Sequence, residues 1–312
     1  MHAAVVRDFG DPGAIEIVDV PTPGPGPGQV RIRVQAAAVN PVDAFVRSGD
    51  AIDAGLVPRR DLLGLGCDLA GSVDAVGEGV AKFAVGDAVI GISDRLDRRL
   101  AGYAEYIVLD ADAVAVAPRK ASAVEASTLP LNGLAATQAL DMLDLQPGQT
   151  VLVTGAAGAV GGYVVELATT RGLRVAATAS GTDEALVRGF GAEWFVPRGT
   201  ESVGEAVRRL VPGGVDGVVD AASLSIAVHD ALRDGGTFVA LIAGAAPPAL
   251  RGTAVHTVFV RAEGSQLSHL VALVDSGKLT LRVAETLPLA KAAVAHRRLA
   301  EGGLRGRLVL IP

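Results

Sequence analysis

One stretch of this chain has the residue types and spacing of an anion site: Thr150-Val151-Leu152-Val153-Thr154-Gly155-Ala156-Ala157-Gly158-Ala159-Val160-Gly161-Gly162. Its first half is short, apolar and β-branched, the pattern of a buried strand. Its second half is too rich in Gly and Ala to continue one. From Tyr163 to Arg171 apolar residues return at helical spacing, at Val164, Leu167 and Ala168. The order is therefore strand, tight turn, helix. A helix N-terminus offers N–H groups and the positive end of its dipole, and small residues before it let a backbone approach an anion closely. The turn reads Ala156-x-Gly158-x-x-Gly161, where the dinucleotide fingerprint reads G-x-G-x-x-G. The expected anion is a dinucleotide pyrophosphate, held by Gly155, Ala156, Ala157, Gly158, Ala159, Val160 and Gly161. The plainer alternative is a small-residue turn that only packs a helix onto a sheet.

The kind of dinucleotide is read further on. An NAD site places an Asp or Glu about 20 residues later, on the ribose 2′-hydroxyl. Here the second strand, Arg174 to Thr178, runs into Ala179-Ser180-Gly181-Thr182 with no carboxylate at its end. Asp183 and Glu184 fall where the next helix opens, a favourable place for acids. Hydroxyls donate to a 2′-phosphate that a carboxylate would repel. Thr178, Ser180 and Thr182, with Arg198 as a cation after the third strand, thus favour NADP over NAD.

Composition narrows the class. The chain has 312 residues, 50% hydrophobic and 20% charged, enough for two domains with a large core. A net charge of −6 gives no signal for polyanions, so nucleic acid is not an expected partner. The single cysteine, Cys67, allows neither an internal disulfide nor a multi-cysteine metal site. Cys67 reads as a buried small residue or pocket wall, since no basic neighbour would activate it. His2, His229, His256, His269 and His296 stand singly, so no metal site is expected. Met1 to Arg7 lacks the basic region and apolar core of a signal peptide, and no run of about 20 apolar residues occurs. A cytoplasmic protein without membrane association is expected.

The elements that must position these residues fall into two groups. Up to about residue 120 the chain reads as short strands broken by turns. Val30, Ile32 and Val34 alternate with Arg31, Arg33 and Gln35, while Leu69 to Val76, Val85 to Ile90 and Tyr103 to Leu109 are further strands. Pro21 to Gly28 is a loop. From Ser122 the period changes. Val124-Glu125-Ala126 opens a helical stretch that Pro130 is expected to break, and Gly133 to Leu143 is a helix. Strands and helices then alternate: Arg174 to Thr178, Ala185 to Phe190, Trp194 to Val196, Val203 to Val211, Val215 to Asp220, Ile226 to Leu232 and Thr237 to Ile242. Such alternation is the mark of a doubly wound parallel sheet. Val255 to Val260 is one more strand, Gln266 to Asp275 an amphipathic helix, and Leu279 to Pro312 a strand, helix and strand.

Several motifs together make the chain similar to the medium-chain dehydrogenase/reductase superfamily, and within it to the zinc-independent, zeta-crystallin-like quinone oxidoreductases. They are Ala38-Val39-Asn40-Pro41-Val42-Asp43, Ala70-Gly71-Ser72-Val73, Val85-Gly86-Asp87-Ala88-Val89, Gly102-Tyr103-Ala104-Glu105-Tyr106, Ala126-Ser127-Thr128-Leu129-Pro130, the fingerprint turn, and Ala295-His296-Arg297 leading to Gly306-Arg307-Leu308-Val309-Leu310. The resemblance implies an α/β chain with a Rossmann domain over residues 121–262. It implies a GroES-like, β-rich catalytic domain over residues 1–120, completed by residues 263–312.

The resemblance also implies roles. Zinc members need a Cys where this chain has Asn40, and His and Glu near Gly66-Cys67-Asp68; these are absent. Asn40 is placed near the nicotinamide and the substrate oxygen, although it is also a natural turn residue before Pro41. Asp43 either orients a neighbour or caps a helix. Some relatives carry a Tyr where Phe45 stands, which leaves the proton donor open, with water as an alternative. Relatives often place a Thr at Ala135, so a hydroxyl contact to the cofactor is either missing here or moved to Asn132, and Ala243 completes the cofactor set. The implied activity is NADPH-dependent reduction of a quinone or of an alkene conjugated to a carbonyl. An enoyl-thioester reductase and a non-catalytic NADPH-binding protein remain as alternatives. Relatives pair through the last strand of the nucleotide sheet, so Val255 to Val260 is expected to form a homodimer seam.

Overall fold

The computed structural model describes every residue except Thr200, Glu201 and Ala243. Two compact units emerge, one from Met1–Leu131, Arg261–Gly277 and Leu281–Pro312, the other from Asn132–Val260 and Lys278–Thr280.

The first unit begins with strands β1 (His2–Val6) and β2 (Ile15–Asp19), then β3 (Gln29–Val39). Val30, Ile32 and Val34 are buried while Arg33 and Gln35 are exposed, as their alternation requires. From Ala36 to Val39 every residue is buried, because β3 there runs inside the unit. Helix α1 (Pro41–Ser48) follows with Asn40 as its N-cap and Pro41 in its first turn, where the fixed φ of proline is already helical. It ends at Gly49, whose φ of 93° is left-handed. After α2 (Asp50–Asp53) come β4 (Leu63–Gly64), β5 (Asp68–Val76), β6 (Ala88–Ile92), β7 (Tyr106–Asp110) and β8 (Val114–Val116), then α3 (Ala123–Ala126). Strand β3 is the hub, pairing antiparallel with both β5 and β7.

Helix α4 (Pro130–Leu143) starts at Pro130. The proline expected to break a helix opens one instead, because a first-turn residue needs no N–H donor.

The second unit contains β9 (Thr150–Thr154), α5 (Ala159–Thr170), β10 (Arg174–Ala179), α6 (Glu184–Gly189), β11 (Trp194–Pro197), α7 (Val203–Leu210), β12 (Val215–Asp220), α8 (Ile226–His229), β13 (Leu232–Ala240) and β14 (Ala254–Thr257). The strands form one six-stranded sheet in the order β11-β10-β9-β12-β13-β14, parallel throughout. Chain order reverses between β9 and β12, the switch point at which open α/β sheets bind ligands outside their carboxyl ends. Helix α8 and strand β14 are shorter than expected. Helix α8 stops at His229, and β14 stops at Thr257 although Val258 still donates to the Ala240 carbonyl at 3.0 Å.

The chain then returns to the first unit with α9 (Gly264–Asp275), β15 (Val283–Pro288), α10 (Ala292–Glu301) and β16 (Arg307–Ile311). Strand β16 pairs antiparallel with β3, making the order β15-β16-β3-β5-β6-β8. The core of this unit takes residues from both ends of the chain, including Ile32, Leu63, Leu69, Ile107, Leu308 and Leu310. No helix among the described residues is long and apolar enough to cross a membrane.

Candidate active site and dinucleotide turn

In the second unit β9 ends at Thr154 and the chain turns at Gly155, whose φ is 60°. Ala156 and Ala157 lead to Gly158, the N-cap of α5, and Ala159, Val160 and Gly161 form that helix's first turn. The two later glycines of the turn are small for different reasons. A Cβ on Gly161 would lie 2.2 Å from the Gly155 carbonyl oxygen and 3.0 Å from Ala156 Cα, so glycine is what lets α5 seat against the turn. A Cβ on Gly158 would meet only the Gly155 oxygen, at 3.1 Å, and otherwise open space. Packing alone does not demand glycine at 158.

The neighbouring strand ends supply polar groups. Ala156 N–H donates to the Thr178 carbonyl at 3.1 Å, tying the turn to β10. The Thr178 hydroxyl is buried and has no hydrogen-bond partner. Ala179 of β10 stands opposite Pro197 of β11, so Ser180 and Arg198 leave the sheet side by side. Arg198 N–H donates to the Ala179 carbonyl at 2.8 Å, and its side chain is exposed. The Ser180 and Thr182 hydroxyls share a hydrogen bond of 3.0 Å. Asn132 lies buried in the first turn of α4. Ala243 lies outside the described residues.

Asp220, at the carboxyl end of β12, was not anticipated as a site residue. One of its oxygens accepts from the Thr154 hydroxyl at 2.5 Å and from Leu224 N–H at 3.1 Å; the other accepts from Ser225 N–H at 2.8 Å. It thereby shapes the loop beside Gly155, where Ser223 and Ser225 take φ of 55° and 51°. A carboxylate directly after the apolar pair Val218-Val219, at the strand's end, was the available sequence signal.

The first unit holds a second polar set, in its interior. Asn40 is wholly buried and touches two carboxyls: its backbone N–H donates to Asp43 at 2.8 Å, and its side-chain amide to Asp68 at 2.8 Å. A longer bond of 3.4 Å runs from the same amide nitrogen to the Ala38 carbonyl. Asp43 N–H donates to the Asn40 carbonyl at 3.0 Å, so Asp43 also closes the first turn of α1. The Tyr103 hydroxyl donates to Asp43 at 2.8 Å, and Leu131 N–H donates to Asp68 at 2.6 Å. Gly66 makes this possible: its φ is 101°, and a Cβ there would lie 2.3 Å from the Tyr103 ring.

Burial governs the electrostatics. Loss of water raises the Asp43 carboxyl to about 6, against the hydrogen bonds from Asn40 and Tyr103 that favour its charge. Loss of water likewise raises Asp68 to about 7, with the Asp43 charge adding to the effect and Arg307 opposing it. The Cys67 thiol is pushed well up by burial and by both carboxylates. Asp68 and Tyr103 are the residues that sequence reasoning missed here. Tyr103 lies in the motif Gly102 to Tyr106 and Asp68 next to Cys67, but only folding puts them within hydrogen-bond reach of Asp43 and Asn40. Phe45, which stands where some relatives have Tyr, packs partly buried against the apolar core, while Tyr103 brings a phenol to Asp43 from elsewhere in the chain.

A β-rich unit and a doubly wound nucleotide-type unit on one chain define the class of two-domain dehydrogenases and reductases. The description "Alcohol dehydrogenase GroES-like domain" matches residues 26–119, and "Zinc-binding dehydrogenase" matches residues 190–310. Quinone oxidoreductase of Sus scrofa is 30% identical over 331 aligned positions, covering 100% of this chain and 98% of that one. NADPH-dependent alkenal/one oxidoreductase of Arabidopsis thaliana is 30% identical over 289 positions, covering 89% and 70%. Among solved structures, an NAD-dependent alcohol dehydrogenase superposes with a TM-score of 0.88 at 33% identity over 100% of both chains. A mycobacterial protein complexed with NADPH superposes with a TM-score of 0.84 at 29% identity, again over 100% of both. The chain belongs to the medium-chain dehydrogenase/reductase superfamily, among its quinone oxidoreductases.

Proposed function

We propose that the protein is an NADPH-dependent reductase of quinones or of alkenes conjugated to a carbonyl, acting without zinc. The observation that carries the reading is the cofactor turn: an open space at Gly158 beside strand ends that bear Ser180, Thr182 and Arg198 and no carboxylate. The residues fit a dinucleotide. A Gly158 Cβ would project into that space, and the unpartnered Thr178 hydroxyl is a donor next to the turn. On this reading the first turn of α5 takes the pyrophosphate, and Ser180, Thr182 and Arg198 take the 2′-phosphate.

When bound, the reduced nicotinamide supplies a hydride. What the protein adds is a donor for the negative charge that develops on the substrate oxygen. We assign this to Asn40. Asp68 accepts from its side-chain amide at 2.8 Å and so fixes the orientation of that donor group. Asp43 and Tyr103 act behind it as positioning residues, holding the backbone at Asn40.

The donor set does not fit a catalytic zinc. Among the described residues no group of His, Cys, Asp and Glu could hold a metal ion. The only thiol is pushed toward its protonated form, whereas zinc ligation needs thiolate. The exposed edge strand β14 supports pairing of two copies across a two-fold axis. A free, buried Cys67 suits a reducing compartment such as the cytoplasm. Steady-state NADPH oxidation with a small quinone, a panel of enones and a panel of enoyl thioesters tests the proposal. Oxidation confined to the thioesters would move the assignment to an enoyl reductase, and none with any panel would leave a binding protein.

A further inference from the structure

The carboxyls of Asp43 and Asp68 form an arrangement that the reductase reading does not require. Asp68 is 0% and Asp43 2% exposed, and Asn40 holds both through a single residue's backbone and side chain. Arg307 is a cation acting on both. Arg95 stands at the Asp43 end but is exposed, so water screens its charge, and the buried titratable neighbours bring no positive charge. Tyr103 donates a hydrogen bond, Cys67 is a thiol, and Asp94 acts on Cys67 with the same sign as the pair. His296, edge-on to the Tyr103 ring with centroids 6.0 Å apart, is held neutral by burial and by the Arg47 charge. Two buried carboxylates against one cation leave an uncompensated negative charge, and a buried site of this kind takes up a proton instead.

A small cavity lies against the Asp43 end of this pair. Its volume is about 10 Å³, and Asp43, Gly66, Cys67, Ser93, Arg95 and Leu96 are among its lining residues. That is about the space of one water. Ser93 is 2% exposed, and its hydroxyl has no hydrogen-bond partner. Arg95, by contrast, is exposed, so the lining runs from the buried acid to the surface. A buried orphan hydroxyl, a carboxyl and a one-water space are the requirements of an ordered water site.

We propose that Asp43 and Asp68 share one proton at neutral pH and exchange it with solvent at the Asp43 end, through a single water seated against Ser93. In the exchange a carboxyl O–H bond breaks as a water O–H bond forms, and the proton leaves past Arg95; no electrons are transferred. Asn40 is thereby coupled to a store of protons in a protein whose proposed reaction consumes one. That last link rests on the reductase reading, whereas the store and its water do not.

Infrared spectroscopy of the full-length protein, without cofactor or substrate, tests this directly. At pH 7 surface carboxyls are ionised, so the carbonyl stretch of a protonated carboxyl should stand alone. It should shift when aspartate is labelled with ¹³C, fall as pH rises above neutrality, and disappear in Asp68→Asn. On transfer to D₂O it should shift at a measurable rate. Ser93→Val, which fills the cavity, should keep the band and slow that shift at least tenfold, with a thermal melt showing that the variant is folded. Absence of the band at pH 7, or a band indifferent to the aspartate label, would overturn the shared proton without reference to any variant. Exchange at the wild-type rate in folded Ser93→Val would overturn the water route.

Discussion

Substitution of two glycines three residues apart separates packing from binding at the cofactor turn. At Gly158 the backbone is extended, with φ −73° and ψ 171°, so any residue adopts it without strain. An added Cβ meets one atom, the Gly155 oxygen, at 3.1 Å, which a shift of a few tenths of an ångström relieves. Gly158→Val should therefore lose about 1–3 kcal/mol of stability at most, including the weaker N-cap. Its side chain would occupy the space assigned to the pyrophosphate, and NADPH affinity should fall at least 100-fold, about 2.7 kcal/mol. Gly161→Ala should behave in the opposite sense. Its Cβ would sit 2.2 Å and 2.7 Å from the Gly155 carbonyl oxygen and carbon, both backbone atoms that cannot swing away. Helix α5 would have to lift off the turn, so the melting temperature should fall even without ligand. A thermal melt and an NADPH fluorescence titration on each sample make the comparison. Normal NADPH affinity in folded Gly158→Val would refute the assignment of this turn to the cofactor.

Further outcomes follow from the same geometry. NADPH should bind at least about tenfold more tightly than NADH, roughly 1.4 kcal/mol, and Arg198→Ala should remove most of the difference; equal affinities in the parent protein would count against the 2′-phosphate site. Activity should survive exhaustive chelation, and elemental analysis finding one tightly held zinc per chain would contradict the reading of the donor set. Asp43 and Asp68 titrate in the fold near 6 and 7, above the ordinary carboxylate range, so their contribution to stability is greatest at acid pH and is lost as pH rises from about 4 to 7. His296 works the other way: burial lowers it to about 4, so its contribution is lost as pH falls from about 6.5 toward 4. Between pH 4 and 7 the two effects have opposite slopes, so Asp68→Asn should remove a fall of melting temperature with rising pH and His296→Phe should remove a rise; unchanged slopes would show that these groups do not titrate as the structure places them. Light scattering at micromolar concentration should give a dimer, and a monomer would oppose pairing through β14.

The strand, turn and helix around Gly155 were legible because each depends on local rules: a β-branched run, residues too small to extend it, and helical spacing afterwards. The absence of an acid after β10 was equally plain, since it is a statement about neighbours in sequence. Reasoning failed where a local rule had two outcomes. Pro130 ends one helix or begins another, and the turn formed by Ser127 to Leu129 decided for the second. Helix α1 was not read from its short apolar pattern, although both of its terminal signals, Asn40 with Asp43 and the closing Gly49, were present. The smallness of Gly158 and Gly161 looked alike in sequence. Their backbone surroundings show one to be required by packing and the other not.

By itself, then, the amino-acid order determined the alternation of elements after Ser122 and the parallel sheet they build. These follow from periodicity and from contacts within a few residues. Tertiary structure decided the polar cluster. Asn40, Asp68, Tyr103 and Arg307 stand far apart in the chain and lie on or beside different strands, and β3, β5 and β16 must pair before they share one space. Burial then raises the two carboxyls and the thiol, because the missing water is a property of the assembled core and of no single segment.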